Sequence, residues 1–171
     1  MVTTMNYGSW FNHQGHELTI KSSVITALGD YGNDYDVDAI ADEWAKAIND
    51  ALPTHVFLTG DEFIGPAYEA DKDWEGDLDI KEIIEGIDFW EIVARYEFLT
   101  LDAIGRDELK SQAKEPAKAA SKAMSRLSVQ PHSYRPHPDS GRPQAIYLAG
   151  DVREALASRP GQGARTDKAG K

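Results

Sequence analysis

The chain has 171 residues, 41% of them hydrophobic, with 4 Trp, 7 Tyr and 5 Phe, and a net charge of −11. That aromatic content excludes an acidic disordered chain; the absence of cysteine excludes disulfides, thiolate metal sites and cysteine nucleophiles; and the lack of any apolar run of about 18 residues excludes a spanning helix. The charge is split, with 21 acidic and 5 basic residues in 1–98 (net −16) against 8 acidic and 13 basic residues in 99–171 (net +5), as expected where one part meets a polyanion and the other does not.

The opening MVTTMNYGSW has neither the basic nor the apolar region of a secretory signal, which makes the cytoplasm the expected compartment and gives no membrane partner. His13 and His16 lie in HQGHE, which is not the helical HExxH spacing, and Gly15 opposes a helix there; a surface or hydrogen-bonded pair is expected. Residues 17–28 (ELTIKSSVITAL) are rich in β-branched side chains, with Leu18, Ile20, Ser22 and Val24 of one parity, and predict a strand. A turn at 29–35 follows. From Asp36, a candidate N-cap, Val37, Ile40, Ala41, Trp44, Ala47, Ile48 and Leu52 fall at helical spacing up to Pro53.

Residues 55–59 (HVFLT) predict a short buried strand, and Asp79 opens a helix that carries Ile80, Ile83, Ile84, Ile87, Trp90, Ile92 and Val93 toward Arg95. The expected N-terminal domain, 1–98, is thus an acidic α/β layer of strand, helix, strand and helix. Between these elements, residues 71–82 (DKDWEGDLDIKE) match a calcium-loop template at Asp71, Asp73, Gly76, Leu78 and Glu82, with Glu75 and Asp79 as further oxygen donors. A glycine- and proline-bearing entry (GDEFIGPAYEA) and Glu at the fifth position favour an acidic loop before a capped helix instead. The cluster Asp30, Asp34, Asp36 and Asp38 lacks the central glycine and terminal glutamate. No metal or cofactor is expected.

In the basic half, residues 99–110 (LTLDAIGRDELK) predict a short helix capped by Thr100, with Leu101, Ile104 and Leu109 inward. A second helix is expected from Glu115–Pro116. On and before it, Lys114, Lys118, Lys122 and Arg126 recur every four residues and form one basic stripe, with Ser121 and Ser125 as hydroxyl donors beside small alanines. Such a slim helix can lie in a major groove about 12 Å wide; a solvated lysine face is the plain alternative. Residues 131–136, a turn at 137–143 and residues 144–148 then predict a hairpin with Arg135 and Arg142 near its turn. Residues 149–158 predict a closing helix, and 159–171 a basic disordered tail.

A helix opening LTLDAIG, a basic second helix, a hairpin with basic residues, the strand IYL and a closing DVREAL helix resemble the winged helix-turn-helix modules of excisionases and MerR-like regulators. The resemblance covers about residues 98–158. It differs from the family in the long polar connection DELKSQAKE and in four prolines from Pro131 to Pro143. It implies that Lys118, Ser121, Lys122, Ser125 and Arg126 contact the major groove or its backbone and that Arg135 and Arg142 are wing contacts; Lys114, from the basic stripe, is expected to join them at the DNA.

The sequence therefore predicts an α+β protein with an acidic domain (1–98), a winged helix-turn-helix-like module (99–158) and a tail (159–171). The expected partner is double-stranded DNA, and the expected role a transcriptional regulator or recombination accessory factor of a bacterial or mobile-element genome. Residues 1–98 would supply dimerisation, a protein-partner surface or self-restraint. The alternative is an acidic DNA mimic that inhibits a basic nucleic-acid-handling protein. No nucleophile elbow, Walker loop, dinucleotide fingerprint or HExxH is present, and no enzyme activity is expected.

Overall fold

The structure is a computed structural model that describes residues 4–6, 12–13, 16–17, 19–53, 56–59, 62–66 and 79–159. The fold is mixed α+β. The chain divides into two compact units, Met1–Tyr96 and Glu97–Lys171.

In the first unit, β1 (Thr4–Asn6), β5 (Glu62–Pro66) and β4 (Phe57–Thr59) form an antiparallel sheet in the order β1-β5-β4, and β2 (Asn12–His13) pairs with β3 (His16–Glu17). Its core is built mainly from helices: α1 (Ile20–Leu28), α2 (Val37–Ala51), α3 (Ile80–Glu85) and α4 (Phe89–Arg95). The expected strand at 17–28 is a correction, since the segment from Ile20 is helical. Ile20, Val24 and Leu28 are four residues apart, a spacing that satisfies strand parity and a helix face alike. Burial decides between them. Val24 and Leu28 enter the core, and the Thr19 hydroxyl accepts from Ser22 N at 3.0 Å to cap the start. The order strand, helix, strand, helix is therefore not the one observed, and residues 29–34 of the expected turn form a 3-10 segment.

Helix α2 is as the sequence predicts. Asp36 caps it by accepting from Ala39 N at 3.2 Å, and Ile40, Ala41, Trp44 and Ile48 are buried on one side. Ile40 and Ile48 are fully buried, and each contributes about 1.5–3 kcal/mol. Asn49 holds α2 to β4: its Oδ1 accepts from Leu58 N at 2.7 Å, and its Nδ2 donates to Leu58 O at 3.2 Å. The helix expected to run unbroken from Asp79 toward Arg95 is two helices. Asp79 accepts from Glu82 N and Asp88 from Glu91 N, each at 3.0 Å, so the second cap restarts the chain after a turn at Gly86–Ile87. Phe89 then turns inward onto Trp44, with ring centroids 4.8 Å apart.

The second unit opens with β6 (Phe98–Thr100), where the sequence predicts the start of a helix. Thr100 does act as a cap, accepting from Ala103 N at 3.2 Å, but the helix α5 (Leu101–Ala103) passes at once into a π-helical turn, Ile104–Glu108. Helix α6 (Pro116–Leu127) has proline in its first turn. It is followed by β7 (Ser133–Pro136), β8 (Pro143–Leu148) and α7 (Ala149–Ala157). The antiparallel sheet has the order β6-β8-β7, with Leu99 opposite Tyr147 and Tyr134 opposite Ala145. One sheet face thus carries Leu99, Tyr147 and Ala145, which join Ile104, Ala120, Ala123, Met124 and Val152 in the core. Of the hairpin prolines, Pro136 ends the edge strand β7 and Pro143 is the first residue of β8, two positions at which a strand tolerates proline, while Pro131 and Pro138 lie outside the strands.

Candidate nucleic-acid interface

Helix α6 is two-sided because its apolar and its polar residues fall on opposite arcs. Ala120, Ala123 and Met124 are buried, while Lys118, Ser121, Lys122, Ser125 and Arg126 are exposed. At 100° per residue the five exposed residues span an arc of about 140° opposite the buried side. The structure therefore brings these five predicted contacts onto one face. Lys114 is exposed two residues before the helix. Small residues underneath let the helix sit deep: Ala120 is 0% exposed, and Gly105 lies against Pro116.

The cations differ in what already holds them. Lys118 pairs with Glu115, Arg106 with Asp102, and Arg153 with Glu108 and Glu97. Arg153 Nε and Nη2 reach Glu108 Oε1 at 2.9 and 2.7 Å, and this bond raises the guanidinium above its ordinary value. Arg153 ties α7 to the π turn and is structural. Among the described residues, Lys114, Lys122, Arg126 and Arg142 form no ion pair.

The hairpin arginines are placed differently. Arg142 is exposed beside Gly141, whose φ of 66° the tight turn requires; His137 N donates to Arg142 O, and Gly141 N to His137 O, each at 2.8 Å. Arg135 lies with its guanidinium carbon 4.2 Å from the centre of the Phe98 ring. Phe98 is on the sheet face opposite Leu99 and Tyr147, so Arg135 is held away from the side on which α6 packs.

Tyr134, which the sequence reading did not single out, is 66% exposed and shares the helix-bearing face through its pairing with Ala145. The alternation in Ser133–Pro136 was the available signal. Burial of Tyr147 holds its phenol above the ordinary value, with Tyr134 adding a smaller push.

Among its described residues the acidic unit offers a phosphate no unpaired lysine or arginine. Each of its described cations is already paired: Lys21 with Asp38, Lys46 with Asp50 at 2.5 Å, Lys81 with Glu85 at 3.7 Å and Arg95 with Glu43 at 2.6 Å. Of the calcium-loop residues, Asp71, Asp73 and Glu75 lie outside the described residues, and Glu82 sits exposed in the first turn of α3. The tail from residue 160 also lies outside them. Among the described residues no three His, Asp or Glu side chains converge as metal ligands. No protein-family model, curated protein or solved structure matches the chain.

Proposed function

We propose that the protein binds duplex DNA through a winged helix-turn-helix module formed by residues 97–159, as a transcriptional regulator or recombination accessory factor. The observation that carries this reading is the solvent face of α6, where Lys118, Ser121, Lys122, Ser125 and Arg126 stand together. The order strand, short helix, helix, hairpin, helix supports it, as does the backbone contact between Gly105 and Pro116 that sets α6 against the preceding helical segment.

The helix would enter the major groove with its serines toward base edges or phosphate and its cations along the backbone. Arg142, at the hairpin turn, would meet an adjacent phosphate. The 21 acids of residues 1–98 would keep that part of the chain off DNA, because repulsion acts within about 10 Å at ordinary salt.

Fluorescence anisotropy of the full chain against a labelled duplex of about 25 base pairs tests this directly. Non-specific affinity of about 10⁻⁴–10⁻⁶ M at physiological salt, tightening as salt falls, is expected. Absence of binding at about 50 mM salt would reject the reading and turn attention to DNA mimicry by the acidic unit.

A further inference from the structure

A groove of about 530 Å³ opens along one flank of α6. Leu109, Ala119, Ala123 and Leu127 line it with apolar surface, and Lys122, Arg126 and Arg159 stand around them. Among the described residues none of these three cations has an ion-pair partner. An apolar floor with a cationic rim fits an occupant that is apolar at its centre and acidic at its edges. The chain beyond Arg159 has the opposite character, with Arg165, Lys168 and Lys171 against Asp167 alone.

The matching chemistry occurs elsewhere on the same chain. Trp90, on α4, is 60% exposed, and Asp88 and Glu91 beside it are exposed too. Phe89 makes an edge contact with Trp90 at 5.3 Å between ring centres, while itself packing on Trp44. The indole is therefore braced by Phe89 and presents its remaining surface to solvent, with exposed Asp88 and Glu91 close to it in the chain. Tryptophan is the side chain most often found as the anchor of an interface, and a neighbouring arginine strengthens its capture through the ring face.

We propose that Trp90 of one copy docks in this groove on a second copy, with Asp88 and Glu91 meeting Lys122, Arg126 and Arg159. A two-fold arrangement would make the contact twice, each copy giving its tryptophan and receiving the other's. The docking does not depend on the duplex reading, but it engages Lys122 and Arg126, so copy-to-copy association and duplex binding compete.

Sedimentation equilibrium of the full chain tests the proposal. At about 50 mM salt the average mass rises with concentration toward that of two chains, and at about 500 mM salt it falls back, because the rim contacts are screened. Trp90→Ala, at an exposed position, and Ala119→Gln, which fills the groove without altering charge, each abolish the association while the thermal transition is retained. Mixing the two variants restores one of the two contacts and with it part of the association, since one supplies the intact groove and the other the intact tryptophan. A single-chain mass at every concentration at low salt overturns the proposal, as does association that survives in Trp90→Ala. Restored mass in the mixture is the result that neither general stickiness nor docking within one chain produces.

Discussion

Gly105 and Pro116 meet backbone to backbone: a Cβ on Gly105 would collide with the Pro116 carbonyl oxygen and lie 2.8 Å from the Pro116 Cβ. Gly105 is buried within the π-helical turn, and Pro116 opens α6, so neither side can retreat cheaply. Gly105→Ala is expected to destabilise the second unit by about 1–3 kcal/mol, the range for overpacking a filled site. Urea unfolding with an unchanged slope and a lowered midpoint checks it. An unchanged midpoint would mean that the two helices separate freely.

The end of α6 points the other way. Ser128 has φ of 58°, and its N donates to Ser125 O at 3.3 Å while Val129 N donates to Met124 O at 3.0 Å, the paired bonds of a Schellman motif. Glycine suits that backbone better than serine. Ser128→Gly should stabilise by about 0.5–1 kcal/mol and raise Tm, a result that thermal melts can read.

Tyr96 gives the first unit an alkaline pH dependence. Its phenol donates to Glu43 Oε2 at 2.5 Å, and this bond, with burial and the Glu43 charge behind it, pushes its pKa up to about 12 from an ordinary 10. The folded chain therefore keeps the proton longer than the unfolded chain does. The contribution is fully present below pH 10 and is lost as pH rises toward about 12. Tyr96→Phe should cost about 1 kcal/mol at neutral pH, with the difference from wild type vanishing across that alkaline range. A difference that persists at its upper end would show that the hydrogen bond is not its source.

Arg142 and Arg135, seven residues apart in the chain, should separate in a binding assay. Arg142 stands at the hairpin turn without an ion pair among the described residues, whereas Arg135 lies over Phe98 on the sheet face away from α6. Arg142→Ala is expected to reduce the salt slope of duplex binding by about 1. Arg135→Ala should leave that slope unchanged and lower stability by about 0.5–1 kcal/mol through loss of its ring contact. The reverse pattern would place the wing contact on the opposite face.

Local signals carried much of this structure. Asp36, Asp79 and Thr100 act as caps where their spacing indicates, α2 and α6 start and stop within a residue or two of their pattern, and the α6 contacts share one face because four-residue spacing fixes it. What was not legible depends on partners distant in sequence. Residues 98–100 become a strand only because β8, nearly fifty positions later, pairs with them, and Ile20–Leu28 becomes a helix because the core accepts every fourth residue. The break between α3 and α4 was legible in principle, since Asp88 and Glu91 repeat the spacing of Asp79 and Glu82, but the apolar run through Ile87 masked it. Capture of Arg135 by Phe98 follows from sheet register, which the sequence does not display.

The salt dependence of duplex binding by the full chain, compared with a Lys118→Ala, Lys122→Ala, Arg126→Ala triple variant, bears most directly on the central claim. For wild type a log–log slope of about −4 to −7 is expected, corresponding to several phosphate contacts. The triple variant should lose about 3 from the magnitude of that slope, with weaker binding at every salt concentration. Equal slopes and affinities for the two proteins would contradict the assignment of α6 as the DNA-facing helix.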